Sequence, residues 1–286
     1  MDNLKAKKRH PEEIAVYTAI YVCAAFSVLL LLGIIIYVFA KGARRVNWAF
    51  LTGVTSILHG TVGIAGNILN TLIIILLTMI ITTPIGVGAA IYLNEYAKPG
   101  KLVTVIIFAT ETLAGIPSII FGLFGMLFFG QLCHMGYSLL TGSLTLTLMV
   151  LPLVTRNTQE ALKTVPDSFR TGAVGLGAGK WYTIRTILLP SAMPGIVTGV
   201  ILAIGRIIGE SAALLFTAGS AHLLPETFDA FLEKIFHSGG TLTIQLYLSA
   251  SKGEFEVAFG IAVVLLVIVL LINFGTKRLA KKLEKH

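Results

Sequence analysis

Three long stretches without charge dominate this chain: residues 14–40, 46–94 and 112–155 are 27, 49 and 44 residues long and contain no Lys, Arg, Asp or Glu. A soluble domain cannot carry so much uncharged sequence, because its surface needs ionised groups. Charged residues make up 13% here, against roughly 25% in an ordinary soluble domain. With 55% hydrophobic residues and a mean hydropathy of +0.87, the chain reads as an integral membrane protein. The same composition excludes a disordered or collagen-like chain. Only Cys23 and Cys133 are present, one in the first apolar run and one at the end of a later span, so a disulfide-stapled scaffold is excluded as well.

A membrane-spanning helix needs about 20 mainly apolar residues, rising 1.5 Å each, to cross roughly 30 Å of hydrocarbon. On that measure we expect an all-α polytopic protein with six spans, at about 14–40, 70–93, 113–133, 138–155, 194–219 and 257–274. The first has a basic flank, Lys5, Lys7, Lys8 and Arg9, but is too long for a signal peptide and lacks a small-residue cleavage site, so it is read as uncleaved. Pro84 should kink the second, with Gly86 and Gly88 allowing another helix to come close. The chain then divides into a basic tail, 1–13, a transmembrane domain, 14–275, containing a soluble loop, 156–190, and a second basic tail, 276–286.

Six spans put both termini on one side. That side carries 16 Lys and Arg residues and the other 5, with Arg206 inside a span. The positive-inside rule therefore predicts that both termini and the 156–190 loop are cytoplasmic. Topology and contact with anionic membrane lipid account for the basic pI of 9.5, so no nucleic-acid partner is required.

Enzyme signatures are absent: no HExxH, CxxC, GxSxG or dinucleotide glycine fingerprint occurs. The nearest approach to a phosphate loop, from Gly175 to Trp181, lacks both the first glycine at the required spacing and a Ser or Thr after Lys180. The chain therefore has no means of hydrolysing ATP itself, and no cofactor or metal site is predicted.

The 156–190 loop contains Thr171-Gly-Ala-Val-Gly-Leu-Gly-Ala-Gly-Lys-Trp-Tyr-Thr-Ile-Arg-Thr-Ile-Leu-Leu-Pro190, in which Gly177 is followed after nine residues by Ile187-x-Leu189-Pro190. Read from the residues alone, this is either a docking element or an amphipathic segment lying on lipid headgroups. Its spacing resembles the EAA loop of binding-protein-dependent ABC importer permeases, with Thr171 and Gly172 standing where that family prefers Glu and Ala. Three further segments resemble the PstA family of phosphate-transport permeases, in the same order and at comparable distances. They are Gly86-Val-Gly-Ala-Ala-Ile-Tyr-Leu-Asn-Glu-Tyr96, Leu113-Ala-Gly-Ile-Pro-Ser-Ile-Ile-Phe-Gly122 and Ile204-Gly-Arg-Ile-Ile-Gly-Glu-Ser-Ala-Ala-Leu-Leu-Phe-Thr217. The resemblance covers about residues 70–275. It implies a type I ABC importer permease fold in a bacterial inner membrane, forming half of a phosphate translocation path. It further implies a second permease subunit of the PstC kind, a dimer of cytoplasmic ATPase subunits and an extracytoplasmic phosphate-binding protein. Ala173, Gly175, Gly177, Gly179, Ile187, Leu189 and Pro190 would then couple the chain to the ATPase.

Arg206 and Glu210 are the charges that physics singles out, because an ionised group at depth in the bilayer costs several kcal/mol and marks a pathway by default. Four residues apart, they are expected on one face of a continuous helix. A guanidinium fork fits a tetrahedral oxyanion, and a carboxylate beside it would keep binding loose. The other reading of the pair is a structural strut between helices. A different oxyanion, such as molybdate, tungstate or sulfate, or a secondary transporter driven by an ion gradient, are the alternative functions. Glu111 is expected at the cytoplasmic interface, and His59, His134, His222 and His237 in solvated outer loops. Glu226, Asp229 and Glu233 are expected on an acidic outer helix, and the pairs Gly63/Gly66 and Gly195/Gly199 at close helix contacts.

Overall fold

A computed structural model describes residues 11–56, 61–98, 100–225 and 227–283. His59, Glu226, residues 1–10 of the first basic tail and residues 284–286 of the second lie outside them. Among the described residues the architecture is helical apart from one pair of antiparallel strands. Helix α1 (Pro11–Gly42) leads through a short 3₁₀ turn to α2 (Trp48–Thr52) and to the antiparallel strands β1 (Val54–Ser56) and β2 (Thr61–Ile64), with Val54 opposite Ile64. Helix α3 (Ala65–Ile91) continues through a π turn at Tyr92–Tyr96 and is followed by α4 (Lys101–Gly115). Next come α5 (Ser118–Gly125), extended by a π turn to Leu132, and α6 (Leu139–Lys163). The 156–190 loop forms α7 (Asp167–Gly175) and α8 (Lys180–Thr183), which runs into α9 (Leu189–Ile208). Four helices complete the chain: α10 (Ala212–Thr217), α11 (Phe228–Glu233), α12 (Leu242–Ser251) and α13 (Phe255–Leu283).

Among the described residues, five helical stretches are long and apolar enough to cross a membrane: Ala15–Arg45, Ala65–Tyr96, Leu139–Lys163, Lys180–Ile208 and Phe255–Arg278. The sixth candidate is broken. Helices α4 and α5 qualify only together and are bent by 103° at Ile116 and Pro117. Pro117 is the reason, since a proline drives the residue before it out of helical geometry, and Ile116 is extended at φ −74°, ψ 132°. Where a continuous span at 113–133 is expected, α5 instead starts at Ser118, preceded across the 103° bend by α4 from Lys101.

The opposite difference occurs at the fifth span. Pro190 was expected to close the cytoplasmic loop, yet the helix runs unbroken from Lys180 to Ile208. A wider turn at Ile184–Leu188 shifts the hydrogen-bond ladder just before Pro190, which absorbs the missing proline N–H. Loop and span are thus one piece. Helix α6 likewise continues beyond the predicted 155 to Lys163.

The core lies between α3, α6, α9 and α10 and includes Ile73, Ile74, Leu146, Val150, Ala203, Ile207 and Leu214. Its polar content is carried by hydroxyls: Thr71, Thr78, Thr82, Thr141, Ser143, Thr145 and Thr147 are all buried. Thr71, Thr145 and Thr147 bond back to carbonyls of their own helices, Thr145 Oγ1 to the Thr141 carbonyl at 2.8 Å, while Thr78 Oγ1 reaches across to the Ser143 carbonyl of α6 at 3.4 Å, so short polar residues pack between apolar helices. Helices α6 and α9 come close because glycine removes the side chain between them. A Cβ on Gly195 would lie 2.5 Å from the Ala161 Cβ, and one on Gly199 2.6 Å from the Asn157 Cβ. At the opposite end of the bundle from the 156–190 loop, the buried Asn67 and Asn70 amides donate to the Gly240 carbonyl at 2.9 and 3.0 Å, tying the loop before α12 to the start of α3. His222 is held there too, its Nε2 3.3 Å from the Thr55 carbonyl. Around α1 the apolar side chains point outward, from Val16 to Tyr37, as lipid or a neighbouring subunit requires.

Candidate functional site

The antiparallel contact of α6 and α9 fixes the position of Arg206. Gly195 faces Ala161 and Gly199 faces Asn157, so counting on along both helices sets Arg206 level with Val150. Arg156 is six residues further along α6, roughly 9 Å at helical rise, and Lys163 another seven, roughly 10 Å. All three cations line one cavity of about 510 Å³ between α4, α6 and α9, together with Glu111, Gln159 and Glu160. Glu160 and Lys163 pair at 3.1 Å, both well exposed, which makes their bond weak. Arg156 and Arg206 are exposed to the cavity and, among the described residues, have no carboxylate within ion-pair distance. Two guanidiniums without a carboxylate partner face one cavity, an arrangement whose charge and donor geometry suit an anion.

Glu210 is not the partner of Arg206. The expectation of one helix face assumed a continuous helix, but α9 ends at Ile208 and the chain passes through Gly209, Glu210 and Ser211 before α10 begins. The Glu210 side chain is buried and its Oε1 accepts from the Ala213 N–H at 3.0 Å, capping the first turn of α10, while its carbonyl accepts from Thr243 Oγ1 at 2.8 Å. A carboxylate there suits the free N–H groups and positive dipole end of a helix. Glu111 is exposed on α4 and lines the cavity.

In the 156–190 loop, α7 closes with a Schellman motif. The Ala178 N–H bonds the Ala173 carbonyl and the Gly177 N–H bonds the Val174 carbonyl, both at 2.9 Å, with Gly177 at φ +79°. That left-handed backbone is the reason for a glycine at this spacing. Ala173 is buried, whereas Gly175, Gly177 and Gly179 are exposed with open space where a Cβ would stand. Ile187 and Leu189 are half-buried and Pro190 is exposed. The fully buried neighbours are Ile184 and Leu188, which pack with Leu162, Val165 and Ile196 into a small core joining α6 to the start of α9. Around the Gly177 turn the apolar side chains Val174, Leu176, Trp181 and Tyr182 project into solvent, Leu176 being 91% exposed. A soluble turn carrying such a patch is built to be covered.

Sequence reasoning passed over Arg156, Arg170 and Glu95. Arg156 stands at the border of a charge-free run, where it counts as a flanking loop charge. Glu95 belongs to a segment noted for its resemblance, and nothing in the sequence places it against Arg170, 75 residues away.

Residues 82–286 match the family model described as binding-protein-dependent transport system inner membrane component. The chain is similar to the probable ABC transporter permease protein YqgI of Bacillus subtilis (strain 168), with 35% identity over 92% of this chain and 93% of the relative. It is also similar to the phosphate transport system permease protein PstA of Xylella fastidiosa, with 35% identity over 84% of this chain and 82% of the relative. Among solved structures, a chain of the bacterial alginate ABC transporter in complex with alginate pentasaccharide-bound periplasmic protein superposes with a TM-score of 0.71 at 14% identity, over 96% of each chain.

Proposed function

We propose, on the premise that this chain belongs to the family of binding-protein-dependent transport system inner membrane components, that it is the transmembrane permease subunit of an ATP-driven phosphate importer. It is a multi-pass inner-membrane transport subunit and not an enzyme, and its family implies an ATPase and a substrate-binding protein as partners. We assign it an ATPase dimer on the cytoplasmic side, a second permease subunit of the PstC kind completing the path, and an extracytoplasmic phosphate-binding protein. The observation that carries phosphate is the cavity with Arg206 and Arg156 unpaired, read together with relatives named as phosphate permeases.

Arg206 takes the oxyanion at mid-membrane, and Arg156 and Lys163 receive it in steps toward the cytoplasm. Glu111 and Glu160 temper the field so that the ion leaves. Glu210 serves the path by fixing the break after α9, which holds the end of the helix bearing Arg206. Coupling runs through Ala173, Gly175, Gly177, Gly179, Ile187, Leu189 and Pro190. ATP-driven closure of the ATPase displaces the Gly177 turn, and the unbroken helix from Lys180 carries that displacement roughly 40 Å to Arg206, so that the spans alternate between inward and outward openings.

The test is uptake of labelled phosphate into proteoliposomes holding the complete set of subunits. We expect uptake that needs ATP, is blocked by vanadate, and is displaced by excess phosphate far better than by sulfate or molybdate. Uptake driven by an ion gradient without ATP, or displacement led by another oxyanion, would overturn the reading.

Both termini and the 156–190 loop are assigned to the cytoplasm on the 16 to 5 distribution of basic residues. A cysteine at Lys180, in a chain with Cys23 and Cys133 replaced, should react with an impermeant maleimide only after the cytoplasmic face is exposed. Labelling from outside intact cells contradicts the topology.

A further inference from the structure

We propose that the cytoplasmic end of α3, at Glu95 and Tyr96, receives the motion of the Gly177 turn, and that Arg170 is the positioning residue that ties the turn to it. This rests on the ATP-driven reading above and adds to it the route by which the turn moves the second span.

The turn is fastened to one spot from both sides. Before Gly177, Arg170 Nη2 donates to Glu95 Oε1 at 2.9 Å and its Nε lies 3.3 Å from the same oxygen. After Gly177, the Lys180 ammonium stands 4.7 Å from the centre of the Tyr96 ring, a cation–π contact. Asn94 Nδ2 donates to Glu95 Oε1 at 2.7 Å and so orients the carboxylate.

Arg170 also joins a third element. Its Nη2 donates to the Leu162 carbonyl at 3.0 Å and its Nη1 to the Val165 carbonyl at 2.9 Å, acceptors at and just past the C-terminal end of α6, where the helical ladder runs out of donors. Nη1 further donates to Asp167 Oδ1 at 3.0 Å, within α7. One guanidinium thus holds α7, the end of α3 and the end of α6. Glu95 is the buried partner, its side chain 8% exposed against 22% for Arg170 and 93% for Asp167, so the Glu95 bond is the one that breaks at greatest cost. The guanidinium is held more firmly protonated than usual, chiefly by its hydrogen bond to Glu95.

The mechanical consequence follows from what the fastened ends carry. Helix α6 bears Arg156 and Lys163 on the cavity, and α3 packs along α6 through the buried threonines. A push on the turn therefore moves the ends of two spans together with the helix Lys180–Ile208. Without Arg170, the turn can follow the ATPase while α3 and the cavity wall of α6 stay behind. A staple that merely stabilises the loop predicts something else: less assembled transporter, with phosphate moved per ATP hydrolysed unchanged.

The experiment measures phosphate uptake and ATP hydrolysis in the same proteoliposomes, for the complete transporter and for Arg170→Gln, Glu95→Gln and Arg170→Lys in this subunit. Glu95→Gln has the shape of the native side chain and serves as the second variant should Arg170→Gln not assemble. Expected is a fall of at least fivefold in phosphate moved per ATP for Arg170→Gln and Glu95→Gln, with hydrolysis continuing. Arg170→Lys should recover part of the ratio, since an ammonium meets Glu95 but cannot also reach both α6 carbonyls. A ratio equal to wild type in the assembled variants overturns the inference and leaves the importer reading standing. A wild-type transporter that shows no ATP-dependent uptake overturns both.

Discussion

Arg206→Gln should lower ATP-dependent phosphate uptake by thirtyfold or more while the subunit still assembles with its partners. A charge-assisted hydrogen bond contributes roughly 1.5–3 kcal/mol, and every 1.4 kcal/mol is about a factor of ten. The loss falls on transport because Arg206 is exposed to the cavity and, among the described residues, pairs with no carboxylate, so nothing in the fold depends on its charge. Arg156→Gln, one step along the cavity toward the 156–190 loop, should cost less, about tenfold. Glu210→Gln should keep most uptake, because the amide oxygen can still accept from the Ala213 N–H, whereas Glu210→Ala removes the cap, a change of about 1 kcal/mol in helix stability. The double change Arg206→Gln with Glu210→Gln should transport no better than Arg206→Gln alone. Substantial recovery in the double variant would show that the two charges neutralise each other during the cycle, and would refute Arg206 as the anion contact.

That series depends on a local fact the sequence hides. Composition and charge-free runs were enough for a helical, multi-span membrane protein, because twenty apolar residues have few other destinations. Helix breaks are set by smaller signals. The bend after α4 follows from Pro117, which lies within one of the quoted segments, yet Pro190 and Pro194 have the same chemistry and sit inside an unbroken helix. The difference is a π turn ahead of Pro190, an adjustment that no residue spells out. The end of α9 at Ile208 is equally unmarked, since Gly205 lies within the helix and Gly209 follows its last residue. Glu210 therefore looked like one half of an i, i+4 pair and is a cap. Gly177, by contrast, was singled out by its spacing in the loop that resembles the EAA motif, and its φ of +79° gives the physical reason for a glycine there. What spacing could not give was the partner of each long-range contact. Arg170 and Glu95 look like ordinary surface charges until the fold brings α7 under the end of α3.

Gly177 also yields the sharpest separation of local strain from docking. A left-handed backbone costs a non-glycine residue roughly 1–2 kcal/mol, least for Asn, whose side chain tolerates that conformation. Apart from Gly177 and its chain neighbours, no atom among the described residues lies within 4 Å of a Cβ built there, so added bulk meets open space or a partner. If the glycine serves merely to end α7, damage should follow strain, with Ala and Asp harmful and Asn nearly silent. If the turn is pressed against the ATPase, with Leu176 projecting beside it, damage should follow size and charge. Gly177→Ala should then keep more than half of the uptake, Gly177→Asn lose tenfold or more, and Gly177→Asp abolish uptake while the partner ATPase either dissociates or hydrolyses ATP without transport. The readouts are co-purification of the ATPase, hydrolysis and uptake for each variant. Normal uptake by Gly177→Asp would place the turn on the membrane surface instead, since a charge and a side chain cannot be added to a close contact between subunits without consequence.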